Sequence, residues 1–232
     1  MKVAIIGRTE ILYETIELLR SKNHEVVCIL TAKEAPEYER TALDFKELAQ
    51  NLKIPFALGS KISDFHEFLK AVNADISISI NYSGIIPQSV INLFPLGVLN
   101  AHGGDLPRYR GNACQAWAIL NGEKHIGLCI HKMIGGELDS GDIIAREYLN
   151  IYDHTKITEV YQWMARQIPE LFTLSIKELE KNPKYVLEKQ SKASKDILRC
   201  YPRKPSDSKI IWSHCVKKIL RLINASNKPF SG

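Results

Sequence analysis

Asn100 and His102 stand two residues apart behind a short apolar run, Val98-Leu99. A single carboxylate, Asp139, follows in the glycine-rich stretch Gly135-Gly136-Glu137-Leu138-Asp139-Ser140-Gly141. Side chains two apart in a strand point to the same face, so an amide donor and an imidazole project together. An amide N–H aimed at a developing oxyanion is typically worth about 2.7–4 kcal/mol in a transition state. An imidazole, with an ordinary pKa of about 6.5, gives or takes a proton near neutrality. A neighbouring carboxylate favours and orients its charged form. Gly103 and Gly104 allow a ligand or another backbone to approach closely. Each residue also has a plainer reading, since lone histidines pack or cap and a lone aspartate in a turn forms the turn.

The elements that position these residues are legible from periodicity. Residues 3–7 and 25–30 are short apolar runs rich in β-branched side chains, the pattern of strands buried on both faces, and 75–80 and 98–101 read as further strands. Between the first two, Ile11, Ile16, Leu18 and Leu19 mark an apolar helical stripe. Further helices are predicted over 42–52, over 63–72 with Ser63 as N-cap, and over 87–94 with Pro87 in the first turn. Alternating strands and helices imply right-handed crossovers between parallel strands, with the functional crevice beyond the strands' carboxyl ends. The expected fold is therefore α/β, a Rossmann-like open, mostly parallel sheet with a short C-terminal extension. The second half reads as a helix over 113–120, strands over 125–134 and 142–151 and a long helix over 157–179. A basic, irregular stretch follows, and 206–223 looks like the opening of a small additional module. The expected division is a catalytic domain over 1–183 and an extension over 184–232.

Composition narrows the classes. With 45% hydrophobic and 25% charged residues the chain is an ordinary globular one, and no apolar stretch approaches the roughly 20 residues of a membrane helix. The first apolar run is too short for a signal peptide, so a cytoplasmic protein with no membrane partner is expected. Five scattered cysteines form no CxxC pair, which argues for buried thiols and against a structural zinc site. Gly7-Arg8-Thr9-Glu10 is not a GxGxxG, and no GxxxxGK[ST] loop occurs, so a dinucleotide cofactor is not supported. The net charge of +5, concentrated toward the C-terminus, suits RNA, a phosphate-bearing small molecule or a solvated surface.

Taken together, Asn100-Ala101-His102, Leu106-Pro107-Arg108-Tyr109-Arg110-Gly111 and Glu137-Leu138-Asp139-Ser140-Gly141-Asp142-Ile143 resemble the folate-dependent formyltransferases over nearly the whole chain. The resemblance implies that Asn100, His102 and Asp139 are the catalytic residues and that 10-formyltetrahydrofolate is the co-substrate, with no metal. It also implies that the pterin lies against main chain of Tyr82, Ser83, Gly84 and Ile85, and of Ile134, Gly135, Gly136, Glu137 and Leu138.

The segment Pro202-Arg203-Lys204-Pro205-Ser206-Asp207 looks like the start of the C-terminal extension shared by tRNA and nucleotide-sugar formyltransferases. The stretch after Tyr201 is too short for a full RNA-binding domain. The acceptor expected by resemblance is therefore a nucleotide-linked amino-deoxysugar, such as dTDP-4-amino-4,6-dideoxyglucose, destined for a surface polysaccharide. Arg203 is expected at its pyrophosphate, with Lys204, Arg108 and Gln115 as further substrate contacts; Arg108 and Arg110 also suit ordering of the loop after His102. A homodimer is expected by analogy. The rival readings are a methionyl-tRNA formyltransferase, a 10-formyltetrahydrofolate hydrolase and an inactive binding module.

Overall fold

The computed structural model describes residues 1–228. Strand β1 (Lys2–Gly7) leads through α1 (Glu10–Ser21) to β2 (Glu25–Thr31), and α2 (Ala42–Leu52) leads to β3 (Phe56–Leu58). A 3-10 turn at Ile62–Phe65 and α3 (His66–Ala71) precede β4 (Ile76–Ile80), and α4 (Gln88–Ile91) precedes β5 (Val98–His102). Then come β6 (Arg110–Gly111), α5 (Cys114–Asn121), β7 (His125–Lys132), β8 (Ile143–Asn150), α6 (Ile157–Lys181), β9 (Arg199–Cys200) and α7 (Val216–Ala225).

The main sheet has the order β3-β2-β1-β4-β5-β7-β8. Its first five strands are mutually parallel, whereas β7 and β8 run antiparallel to their neighbours. The innermost strands are buried on both faces, as inner parallel strands covered by helices are, with Ser77 and Ser79 of β4 buried as well. In β1, Val3 and Ile5 enter one core with Leu12, Ile16, Phe45, Phe172 and Ile176. Ala4 and Ile6 enter the other, with Leu30, Ile62, Leu69, Val90 and Phe94. Period-two alternation thus divides one strand between two helical layers. All five parallel strands end at one edge, where Gly7, Thr31, Leu58, Ile80 and His102 lie.

Local caps fix the helix starts. Thr41 and Asp44 form a reciprocal capping box at α2, with Thr41 N–H donating to Asp44 at 2.7 Å. Ser63 does not cap a helix. Burial of Ile62 pins a 3-10 turn there, α3 starts only at His66, and the Ser63 hydroxyl lies 3.5 Å from Asp64. The helix expected over 87–94 is one turn, with Pro87 at its cap. The edge strand β3 escaped the sequence reading because its three half-exposed residues show no alternation. The tail carries a 3-10 turn at Pro205–Ser208 and helix α7, which packs on α5. Cys28, Cys114, Cys129 and Cys200 are buried and Cys215 is exposed.

Gly7 adopts φ +144°, and a Cβ there would collide with the Ile80 carbonyl oxygen of the neighbouring strand. Gly7→Ala is therefore expected to cost about 2 kcal/mol or more, read as a fall of several degrees in Tm by calorimetry. An unchanged Tm would show that β1 and β4 separate without cost.

Candidate active site

β5 delivers Asn100 and His102 to the carboxyl edge as the spacing requires. It pairs antiparallel with β7, and the register sets Asn100 opposite His131 and His102 opposite Cys129. The chain after His102 turns back so that Nε2 of His102 lies 2.7 Å from the Tyr109 carbonyl oxygen. A carbonyl only accepts, so Nε2 carries the proton and Nδ1 carries the lone pair. Nδ1 lies 3.5 Å from Oδ2 of Asp139. Gly104 makes this fit possible, because a Cβ there would strike both the Tyr109 carbonyl and the His102 ring.

Asp139 arrives on the β7–β8 connection in the left-handed conformation, φ 47°, which aspartate tolerates better than most residues. Its Oδ2 accepts the Gly111 N–H at 2.9 Å, and its Oδ1 lies 3.5 Å from Nε2 of His131. The loop is held from behind by Gln190. Both N–H groups of that amide are spent on the carbonyls of Asp139 (2.9 Å) and Gly141 (2.6 Å), while its oxygen accepts from Arg110. Segment 185–200 is thus bonded into the catalytic half.

Burial pushes the His102 imidazole below its ordinary value, against the opposing pull of Asp139 and the Tyr109 carbonyl. Burial works to raise the Asp139 carboxyl. The His102 and His131 imidazoles and the Gly111 N–H together outweigh it and hold the group well below the usual carboxylate range. At neutral pH the site therefore presents a neutral imidazole with its lone pair facing an ionised carboxylate. A proton arriving on Nδ1 is stabilised by Asp139, which suits a general base.

The two loops expected to face a heterocycle are neighbours. Gln88, two residues beyond Ile86, accepts the Gly135 N–H at 2.8 Å. Ile85 is 83% exposed, and Ile134 and Leu138 are exposed as well, so the paired loops carry uncovered apolar side chains. Gly84 sits tightly against the Ser60 carbonyl, and the Tyr82 hydroxyl donates to the Gly59 carbonyl at 2.8 Å. Farther along the edge, a cleft of about 630 Å³ is lined by Arg8, Lys33, Glu34, Leu58, Ser60 and Ser83.

The residues named as acceptor contacts fare differently. Arg203 does not present a free guanidinium. It donates to the carbonyls of Ala225 and Asp207 and to the hydroxyls of Ser208 and Ser226, so it ties the tail together. The reason lies in the open carbonyls of its own turn at Asp207 and of the end of α7 at Ala225, which one planar donor bridges. Lys204 is exposed beside that turn. Arg108 pairs with Glu123 at 3.1 Å and lies over the Tyr109 ring, ordering the loop after His102. Gln115 is buried behind β5, where its amide reaches the Met164 sulfur and leaves no room for a side chain at Gly103. His131 was missed, because its place beside Asn100 depends on an antiparallel register that no local spacing encodes.

A formyl transferase family model matches residues 1–176. The chain is 30% identical to the methionyl-tRNA formyltransferase of Sulfurihydrogenibium sp. (strain YO3AOP1), over 97% of this chain and 73% of that protein. Two solved structures share the fold. One is an N-formyltransferase from Helicobacter canadensis in complex with folinic acid and dTDP-3-aminofucose, with TM-score 0.74, 22% identity, 97% of this chain and 80% of that chain. The other is WlaRD, a sugar 3N-formyl transferase in the presence of dTDP and 5-N-formyl-THF, with TM-score 0.72, 18% identity, 97% of this chain and 78% of that chain. Since the family match runs from β1 into α6 and takes in Asn100, His102 and Asp139, the chain belongs to the formyl transferase family.

Proposed function

We propose that the protein transfers the formyl group of 10-formyltetrahydrofolate to the primary amine of a nucleotide-linked amino sugar. The observation that carries the reaction is the buried contact of His102 Nδ1 with Asp139 beside Asn100. Residues 82–86 and 134–138 are our candidates for the pterin contact, supported by the exposed Ile85, Ile134 and Leu138 on two loops tied together by the Gly135 N–H to Gln88 bond. The cleft lined by Arg8, Lys33 and Glu34 supports a small anionic acceptor, being of ligand size on the same sheet edge with two cations against one carboxylate, although Arg8 already donates to the carbonyls of Asn81 and Lys33.

In this reading the amine nitrogen attacks the formyl carbon and the carbonyl electrons move onto oxygen. An N–H of Asn100 meets the developing oxyanion. His102 Nδ1 takes the proton that the attacking nitrogen sheds, and Asp139 stabilises the imidazolium. The proton then passes to N10 of the folate as the carbon–N10 bond breaks, leaving a formamide and tetrahydrofolate. A second acceptor, methionyl-tRNA, is supported by the 30% identity to an enzyme of that name.

A mass-spectrometric screen with 10-formyltetrahydrofolate and dTDP- and UDP-aminosugars, methionyl-tRNA and glycinamide ribonucleotide tests the acceptor. Formylation of one sugar nucleotide is the expected result, and formylation of methionyl-tRNA alone would overturn it. Release of formate without an acceptor product would sink the transferase reading. His102→Ala is expected to lower kcat roughly 10²–10⁴-fold, with folding unchanged by circular dichroism.

The pH dependence has a definite sign. His102 must be neutral to act, and burial lowers its pKa, so kcat/KM is expected to fall on the acid side only below the ordinary imidazole value of 6.5. Asp139 opposes that shift. Asp139→Asn should therefore move the acid limb to still lower pH while reducing the plateau. A limb that moves upward would contradict the assignment.

A further inference from the structure

We infer that His131 is a positioning residue that sets which end of the Asn100 carboxamide faces the reacting carbon. The inference rests on the reading of Asn100 as the oxyanion donor.

His131 is 1% exposed and is fixed twice. Its backbone belongs to β7, directly opposite Asn100, and its Nδ1 lies 2.9 Å from the Lys132 carbonyl oxygen. That carbonyl can only accept, so Nδ1 bears a proton, and in the neutral ring Nε2 is then a bare acceptor. Nδ2 of Asn100 lies 3.3 Å from it and donates. An amide nitrogen has two hydrogens. With one held by His131, the plane of the carboxamide is set and the other hydrogen is left for a developing oxyanion. A carboxamide can turn over end for end at little cost when nothing distinguishes its oxygen from its nitrogen. Here the His131 lone pair makes the distinction, because the turned amide would set Oδ1 against Nε2, acceptor to acceptor.

The surroundings make this assignment consequential. Nε2 of His131 also lies 3.5 Å from Oδ1 of Asp139, and the His131 ring stands edge-on to His102 at 6.2 Å between centroids. A proton on Nε2 would pair with Asp139 and release Asn100. The same nitrogen therefore chooses between the amide and the carboxylate, and the tautomer imposed by Lys132 selects the amide.

Three variants separate positioning from bulk structure. His131→Leu keeps the volume but loses the acceptor, whereas the Oε1 of Gln in His131→Gln can accept near the same place. With methionyl-tRNA and dTDP-4-amino-4,6-dideoxyglucose as acceptors, His131→Leu is expected to lower kcat about 10²-fold, the loss of one oxyanion donor. KM for the folate and the Tm should stay unchanged, and His131→Gln should recover the larger part of the loss. In an Asn100→Ala background His131→Leu should cost nothing further, because the two act as one unit. Equal losses in the Leu and Gln variants, or a full loss from His131→Leu on top of Asn100→Ala, would overturn the inference. Normal turnover in Asn100→Ala would instead remove the oxyanion reading beneath it, and the inference with it. Independently of any acceptor, long-range ¹H–¹⁵N spectra of the imidazoles should show His131 protonated on Nδ1 and bare on Nε2; a proton on Nε2 would overturn the assignment.

Discussion

The ionised carboxylate of Asp139 is the constraint around which the site is built. An unpaired charge in so buried a place costs several kcal/mol. It is held there by one backbone donor, Gly111 N–H, with an imidazole nitrogen of His102 and one of His131 each 3.5 Å from its oxygens, placed to stabilise it whenever they carry a proton. Neither imidazole is free to choose. Tyr109 holds the proton of one and Lys132 the proton of the other, both through main-chain carbonyls. The chemistry therefore depends on where the backbone turns. That is why Gly104, which admits the Tyr109 carbonyl beside the His102 ring, and the left-handed φ of Asp139 belong to the site as much as the side chains do.

The parallel half of the sheet follows from its sequence almost directly. A run such as Val3-Ala4-Ile5-Ile6 hides its apolar surface only with both faces covered, which calls for helices above and below. The resemblance to formyltransferases, carried by three short segments, agrees with the family to which the chain belongs. What stayed hidden depends on pairing between distant strands. Nothing near His131 in the chain marks it as a neighbour of Asn100, because the contact arises from the β5–β7 register. Arg203 shows the converse error. A basic residue in a basic tail reads as a phosphate ligand, yet its guanidinium is taken up by the Asp207 carbonyl of its own turn and the Ala225 carbonyl at the end of α7. Ser63 fails on a smaller scale, since burial of Ile62 outweighs a favourable cap residue.

The two sides of residue 183 share the work differently from a simple division into a catalytic part and an appendage. The strand Arg199–Cys200 pairs with Arg110–Gly111, and Gly111 in turn supplies the N–H that Asp139 accepts. Trp117 of α5 donates to the Tyr201 carbonyl, so the return path of the chain is fastened at a second point. Helix α7 then rests on α5, with Val216, Leu220 and Ile223 still exposed.

The amide of Gln190 has a consequence for how such proteins diverge. Its two hydrogens fill the carbonyls of Asp139 and Gly141, and its oxygen accepts from the half-buried Arg110. A family defined over residues 1–176 stops short of it. In this chain the ending is therefore not an interchangeable part. A graft that brings a new ending must also bring a substitute for this amide, or it inherits an aspartate loop with two orphaned acceptors. Inheritance of the tail is in that sense linked to inheritance of the aspartate.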